Sequence, residues 1–168
     1  MTISMYQSSI PVFIHNLNNL SAILTKAADH AEAKKIDPTA LINARLFPDM
    51  LPLIRQVQIT SDTVKAGTAR LAQIEVPIFE DNETTFADLQ ERIAKTIKFL
   101  QTIKPEQIDG SEELKISYFQ HGKDKNFIGQ PYLLGWILPN LYFHITTTYA
   151  ILRHNGVEIG KKNYLGNS

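Results

Sequence analysis

At 168 residues, with a formal net charge of +0 and 20% charged residues, the chain has the length of one domain, 1–168, with its own core. Its charge balance excludes a global field that would draw nucleic acid or an anionic membrane surface. Cys is absent, which excludes disulfides, a thiol nucleophile and cysteine-ligated metal, and fits a reducing, cytoplasmic compartment.

The N-terminal MTISMYQSSIPVFIHNLNN lacks the basic flank and long apolar core of a signal peptide. No apolar run approaches the ~20 residues of a membrane helix, so the expectation is a soluble protein. Ile10, Phe13, Ile14, Leu17, Leu20, Leu24, Ala27 and Ala31 recur at three- and four-residue steps. They predict an amphipathic helix of about seven turns from near Ser8 to near Lys35. Ser8 or Ser9 can cap it, and Pro11 falls in its first turn. Asp37-Pro38 breaks the helix and can open a short helical turn through Asn43.

Phe47-Pro48-Asp49 opens a second long pattern, with Met50, Leu53, Ile54, Val57, Ser61, Val64, Thr68 and Leu71 as its buried stripe. Gly67 inside it costs about 1 kcal/mol relative to Ala, which close approach of a neighbouring helix would explain. PIFEDNE reads as a loop. Thr84 or Thr85 caps a third helix, with Thr85 and Asp88 as a capping-box pair, and Phe86, Leu89, Ile93, Ile97 and Leu100 form its apolar face. Pro105 stops it, and residues 106–112 read as loop. Leu114, Ile116 and Tyr118 alternate with polar residues, and Asn126 to Gly129 can return as a second short strand after a turn containing His121.

Gln130 to Gly156, QPYLLGWILPNLYFHITTTYAILRHNG, is the most apolar stretch. It predicts a central, buried helix, bent at Pro139 and running to about His154, with Gly156 as a left-handed stop. The tail is too short for another core helix and can lie back across the bundle through Val157, Ile159, Tyr164 and Leu165. Three amphipathic helices and one nearly all-apolar helix predict an all-α four-helix bundle. Its third connection is long, carries a small β-hairpin and permits a crossover.

His144 is the sharpest candidate for chemistry, as a general base, a metal ligand or a core histidine bonded to a neighbouring helix. On one helix it shares a face with Asn140, Thr147 and Thr148. The run Thr146, Thr147, Thr148 either lines a ligand or bonds back to carbonyls one turn earlier. His154 lies about 15 Å from His144 along the axis and cannot share a metal with it. His15, His30 and His121 read as solvated or partly buried structural residues. HExxH, HxxxH, Walker, Rossmann and G-x-S-x-G patterns are absent. KDK and GKK have no interleaved aromatics for single-strand nucleic-acid binding.

PNLYFHITTTYAILRHNGVEIGKKNYLG, RLFPDMLPLIRQVQ and PIFEDNETTFADLQERI resemble a bacterial family of unknown function within the DinB-like four-helix-bundle superfamily, over nearly the whole chain. The resemblance implies a down-up-up-down bundle, a homodimer and, in typical members, a divalent metal held by one His on the second helix and an HxxxH pair on the last. Here His144 can stand for the first His of that pair, Thr148 occupies the second place, and Gln56 or Gln58 stands where the second-helix ligand would be. The His triad is incomplete, so no metal ligands and no cofactor are assigned, although a divalent metal is possible. The expected function is a small-molecule-binding or degenerate-enzyme bundle. Its pocket is placed at His144, Thr148, Asn140, Thr147, Gln56 and Gln58. The alternatives are a metal-dependent thiol transferase or isomerase that recruits further ligands such as His30, and a structural homodimer without a ligand.

Overall fold

A computed structural model describes residues 3–120 and 122–166. The expected turn residue His121 lies outside the described residues.

The long helices form where the apolar periodicity places them. Helix α1 spans Ile10–Lys34 and buries Phe13, Leu17, Leu20, Ile23, Leu24 and Ala27 completely. Ser9 is its N-cap residue, but its hydroxyl bonds back to the Met5 carbonyl at 2.7 Å and caps nothing. Asp37 accepts from the Thr39 N–H at 2.9 Å and starts the short α2, Pro38–Ile42.

Helix α3 runs Leu53–Leu71 and begins later than the sequence pattern suggested. Pro52 is its extended N-cap residue (ψ 167°), and residues 47–50 form a turn closed by the Met50 N–H on the Phe47 carbonyl. A proline pushes the residue before it out of helical conformation, so Phe47 and Leu51 cannot carry a helix through this segment. Met50 is half-buried as a result, and Ile54 is also only half-buried. Gly67 meets the expected close approach: a Cβ there would sit 2.5 Å from Ile137 Cδ1.

Helix α4, Phe86–Gln101, starts with the predicted Thr85–Asp88 capping box. Residues 106–112 are not all loop, because Pro105–Ile108 forms the short helix α5 and buries Ile108. Strands β1 (Lys115–Gln120) and β2 (Lys123–Ile128) pair antiparallel with Gln120 opposite Lys123, longer on both sides than expected. Gly122 has φ +74°, the left-handed conformation a tight hairpin turn needs. The hairpin docks through aromatic contacts. Phe127 lies 4.8 Å from the ring of Tyr132, the Arg70 guanidinium stacks 3.6 Å over Tyr118, and Arg70 donates to the Tyr132 hydroxyl at 3.0 Å.

The last long segment is a short helix α6 (Gly129–Tyr132), a π-helical turn (Leu133–Ile137) and helix α7 (Leu138–His154). Pro139 has no N–H to continue an α-helical ladder, and the Leu138 N–H reaches back to the Leu133 carbonyl instead. Gly156 stops α7 with φ +87°. Val157 and Ile159 are buried beyond it, and α8 (Lys161–Leu165) lies against α1.

Helix α3 packs between α4 and α7, and α1 packs between α4 and α7 on the other side. The first two long helices, α1 and α3, therefore sit across the bundle diagonal, and the long connection takes the chain from α4 across to α7. Helix α7 is not central. Tyr142 is 39% exposed and Phe143 57% exposed, because α7 is a wall of the bundle with an apolar outer side. No helix of the described residues is long and apolar enough to cross a membrane.

Candidate functional site

The contact between α3 and α7 brings His144 against Gln56. The imidazole Nδ1 is 2.7 Å from Gln56 Oε1. Gln56 is only 2% exposed, and its Nε2 donates to the Leu51 carbonyl at 3.0 Å. The segment ahead of α3 thus anchors the amide, and the amide anchors the imidazole. His144 is half-buried, and burial holds its pKa below the ordinary imidazole value, which favours the neutral ring. The Phe143 ring meets it edge-on at 5.1 Å between centroids.

The other expected site residues are handled mostly within their own helix. Thr148 is fully buried and donates to the His144 carbonyl at 2.9 Å, and Thr147 donates to the Phe143 carbonyl at 2.7 Å. Thr146 departs from this pattern, since it is exposed and reaches the Tyr164 hydroxyl at 3.4 Å. Asn140 donates to the Trp136 carbonyl at 2.7 Å, which supplies a partner just ahead of the π-helical turn's end. His15 is exposed and contacts the Leu165 carbonyl at 2.8 Å, His154 is exposed at the end of α7, and His30 is half-buried on α1.

Gln58 does not join His144. It accepts from Arg55 Nη1 and donates to Glu83 Oε2 at 2.7 Å, on another side of α3. Two residues advance an α-helix by about 200°, so Gln56 and Gln58 cannot face the same neighbour.

Gln58 belongs to a charged network that the sequence did not disclose. Arg92 is 3% exposed and its guanidinium meets three carboxylates: Asp62 at 2.9 Å, Asp81 at 3.1 Å and Glu83 at 2.8 Å. Arg55 holds Asp81 at 2.6 Å, and Lys65 holds Asp62 at 2.8 Å. These groups come from α3, α4 and the loop between them; Asp62–Lys65 and Arg55–Gln58 are one helical turn apart, but no local spacing links α3 to Arg92 or to the loop. Phe79 in the same loop lies under two ammonium groups, Lys65 at 4.2 Å and Lys95 at 4.3 Å from its ring centre.

Four of the clefts among the described residues hold about 460 to 690 Å³, and His144 lines none of these four. The largest runs along the loop and α4 past Phe79, Glu83, Arg92 and Lys95. The most apolar lies between α1, α2 and the start of α4.

A model of the family described as a domain of unknown function, DUF1993, matches residues 5–165. The chain belongs to the DUF1993 family. The fold of this DUF1993 chain is similar to the crystal structure of a DinB family member protein from Shewanella denitrificans, with 44% identity and a TM-score of 0.89. That similarity covers 97% of this chain and 92% of the other. No curated protein matches the chain.

The DinB-like fold implies a divalent metal in typical members, so the donors at this position can be tested against one. His144 supplies one imidazole, Gln56 an amide oxygen already bonded to it, and Thr148 a hydroxyl already donated to a carbonyl. Among the described residues no three His, Cys, Asp or Glu side chains gather in a way that could hold a metal. That set does not fit a divalent site built on nitrogen and carboxylate ligands.

Proposed function

We propose that this DUF1993 chain is a small-molecule-binding or degenerate-enzyme bundle whose ligand contacts His144, with a second copy of the chain completing the site. The observation that carries the reading is the 2.7 Å contact of His144 with the buried amide of Gln56. A half-buried imidazole held neutral and oriented by an anchored amide is a prepared polar group beside an apolar surface. Leu51, whose carbonyl anchors Gln56, is 46% exposed, and Phe143 beside His144 is 57% exposed. Such apolar side chains suit a partner surface.

A metal-dependent transferase is the second reading. What favours it is that histidines in metal sites are commonly oriented by a carbonyl or carboxylate oxygen on the other ring nitrogen. Thermal melts of the untagged protein against divalent metals and small metabolites test both. A ligand of the folded state raises Tm. The expected result is a metabolite-dependent rise that His144→Ala abolishes, with metal analysis showing no stoichiometric ion. Stoichiometric metal retained by wild type and lost in His144→Ala moves the transferase reading to first place. No rise with any compound leaves the polar groups as helix-register devices. Light scattering at micromolar concentration tests the dimer, and a Phe143→Glu variant is expected to shift its mass toward that of a monomer.

A further inference from the structure

Both ends of the Gln56 amide are engaged, and that determines where the imidazole proton sits. The Leu51 carbonyl can only accept, so the Gln56 end that faces it at 3.0 Å is the nitrogen. The oxygen end therefore faces His144, 2.7 Å from Nδ1. An amide oxygen can only accept, so Nδ1 carries the hydrogen. A neutral imidazole has one such hydrogen, and Nε2 is left with a lone pair.

We propose that Gln56 is a positioning residue that holds His144 as the Nδ1–H tautomer, so that the site presents a lone pair at Nε2 and takes an uncharged ligand through a hydroxyl or N–H donor. The ligand class rests on the reading of His144 as a ligand contact; the tautomer does not.

Three observations support the assignment. Gln56 is 2% exposed, so water does not compete for its oxygen. Its anchor is backbone at the entry to α3, where the Gln56 N–H also bonds the Pro52 carbonyl at 3.1 Å, so the amide is held from both its main chain and its side chain. The imidazole plane is restrained by the edge of Phe143. Among the described residues no hydrogen bond or ion pair joins His144 to a charged side chain. The charged groups of α3 that do pair, Arg55, Asp62 and Lys65, belong to the Arg92 network. An ionic ligand would lose hydration at His144 without gaining a counter-charge. A neutral donor loses far less and gains a bond to Nε2.

Nitrogen-15 spectra of the full chain at about pH 8, above the ordinary imidazole range, read the tautomer directly. In wild type the His144 Nδ1 resonance is expected in the protonated range and Nε2 in the lone-pair range. Gln56→Met, which keeps length but cannot accept, is expected to return the ring to the Nε2–H form that a solvated histidine side chain prefers. An Nε2–H ring in wild type overturns the assignment. If Gln56→Met fails to fold, the wild-type spectrum decides. Phenol and anisole, which differ in the donor hydroxyl, test the ligand class: phenol is expected to move the Nε2 resonance and anisole to leave it. Equal shifts, or none, overturn the ligand class, as does a shift with zinc ions alone. An Nε2–H ring alongside His144-dependent metabolite binding removes the role of Gln56 and leaves the binding reading standing. An Nδ1–H ring with no metabolite bound removes the binding reading and keeps the role of Gln56.

Discussion

Gln56 and Gln58 stand two residues apart on α3, and both are 2% exposed, yet they serve opposite kinds of polar cluster. Gln56 faces α7 and joins a neutral pair with His144, anchored by a main-chain carbonyl. Gln58 faces the loop before α4 and joins Arg55, Glu83 and, through them, the buried guanidinium of Arg92. The neutral cluster costs little to bury because each group has one or two partners of its own kind. The charged one buries a full cation and is tolerable only because three carboxylates on its two terminal nitrogens neutralise it. One helix thus fastens a neighbouring helix by hydrogen bonds on one side and a loop by ion pairs on another. The two fastenings should respond differently to substitution and to acid.

The largest difference is expected from removing the cation. Arg92→Ala leaves Glu83 without a cation, and Asp81 and Asp62 with only Arg55 and Lys65. It should cost about 3 kcal/mol, the low end for breaking a buried ion pair, because Asp62 and Asp81 are 39% exposed. Urea unfolding measures it. A loss below about 1 kcal/mol would reduce the network to ordinary surface pairs.

Acid separates the two clusters next. Burial pushes the Asp81 and Glu83 carboxyls up, but bonds from Arg55, Arg92 and Gln58 outweigh it and hold both below the ordinary carboxylate range. Such groups lend their full stability above the unfolded carboxylate values, near 4, and lose it as pH falls through the lowered folded values. The urea midpoint of wild type should therefore drop steeply below about pH 4. The double variant Asp81→Asn with Glu83→Gln should show a shallower drop there from a lower starting midpoint.

The neutral cluster should give a smaller effect at higher pH. Burial lowers the His144 pKa, so the folded state favours the uncharged ring. Its contribution is complete above the unfolded value, about 6.5, and declines as pH falls toward the folded value. His144→Leu should remove that slope and cost about 2 kcal/mol at neutral pH by leaving the Gln56 oxygen without its donor. Adding Gln56→Leu should recover part of the loss, since removing both partners spares an unpaired buried atom.

The smallest change is expected from Thr148→Val. Its hydroxyl serves only the His144 carbonyl of its own helix, so the melt should move by less than the equivalent of about 1 kcal/mol. A larger loss would mean that the hydroxyl joins the two helices rather than one.

The bundle was largely legible in the chain. Proline and glycine positions and the three- and four-residue apolar steps located all four long helices, the Thr85–Asp88 capping box and the Gly156 stop. The start of α3 was not, because Phe47-Pro48-Asp49 has the composition of a helix opening while Pro52 holds the chain extended until Leu53. The burial of α7 was overestimated for a different reason. An apolar side chain shows that cover is favourable without showing where the cover lies, and Tyr142 and Phe143 point outward. At the candidate site, the pairing of His144 with Gln56 was within reach of the sequence, but Gln58 was an equal candidate for the same contact.

What the sequence alone determined is local: where helices begin and end, which stripe of each is apolar, and that His144 sits in apolar surroundings. These depend on residues within a few turns of one another, where spacing is a direct measure of position. Only the tertiary structure decided which of two glutamines faces α7, and that Arg92 is buried among Asp62, Asp81 and Glu83. Those contacts join residues 88, 30, 11 and 9 positions apart, and hydrogen bonds and ion pairs depend on distances of a few ångströms. The packing angle and rotation of whole helices set those distances, and no periodicity along the chain encodes them.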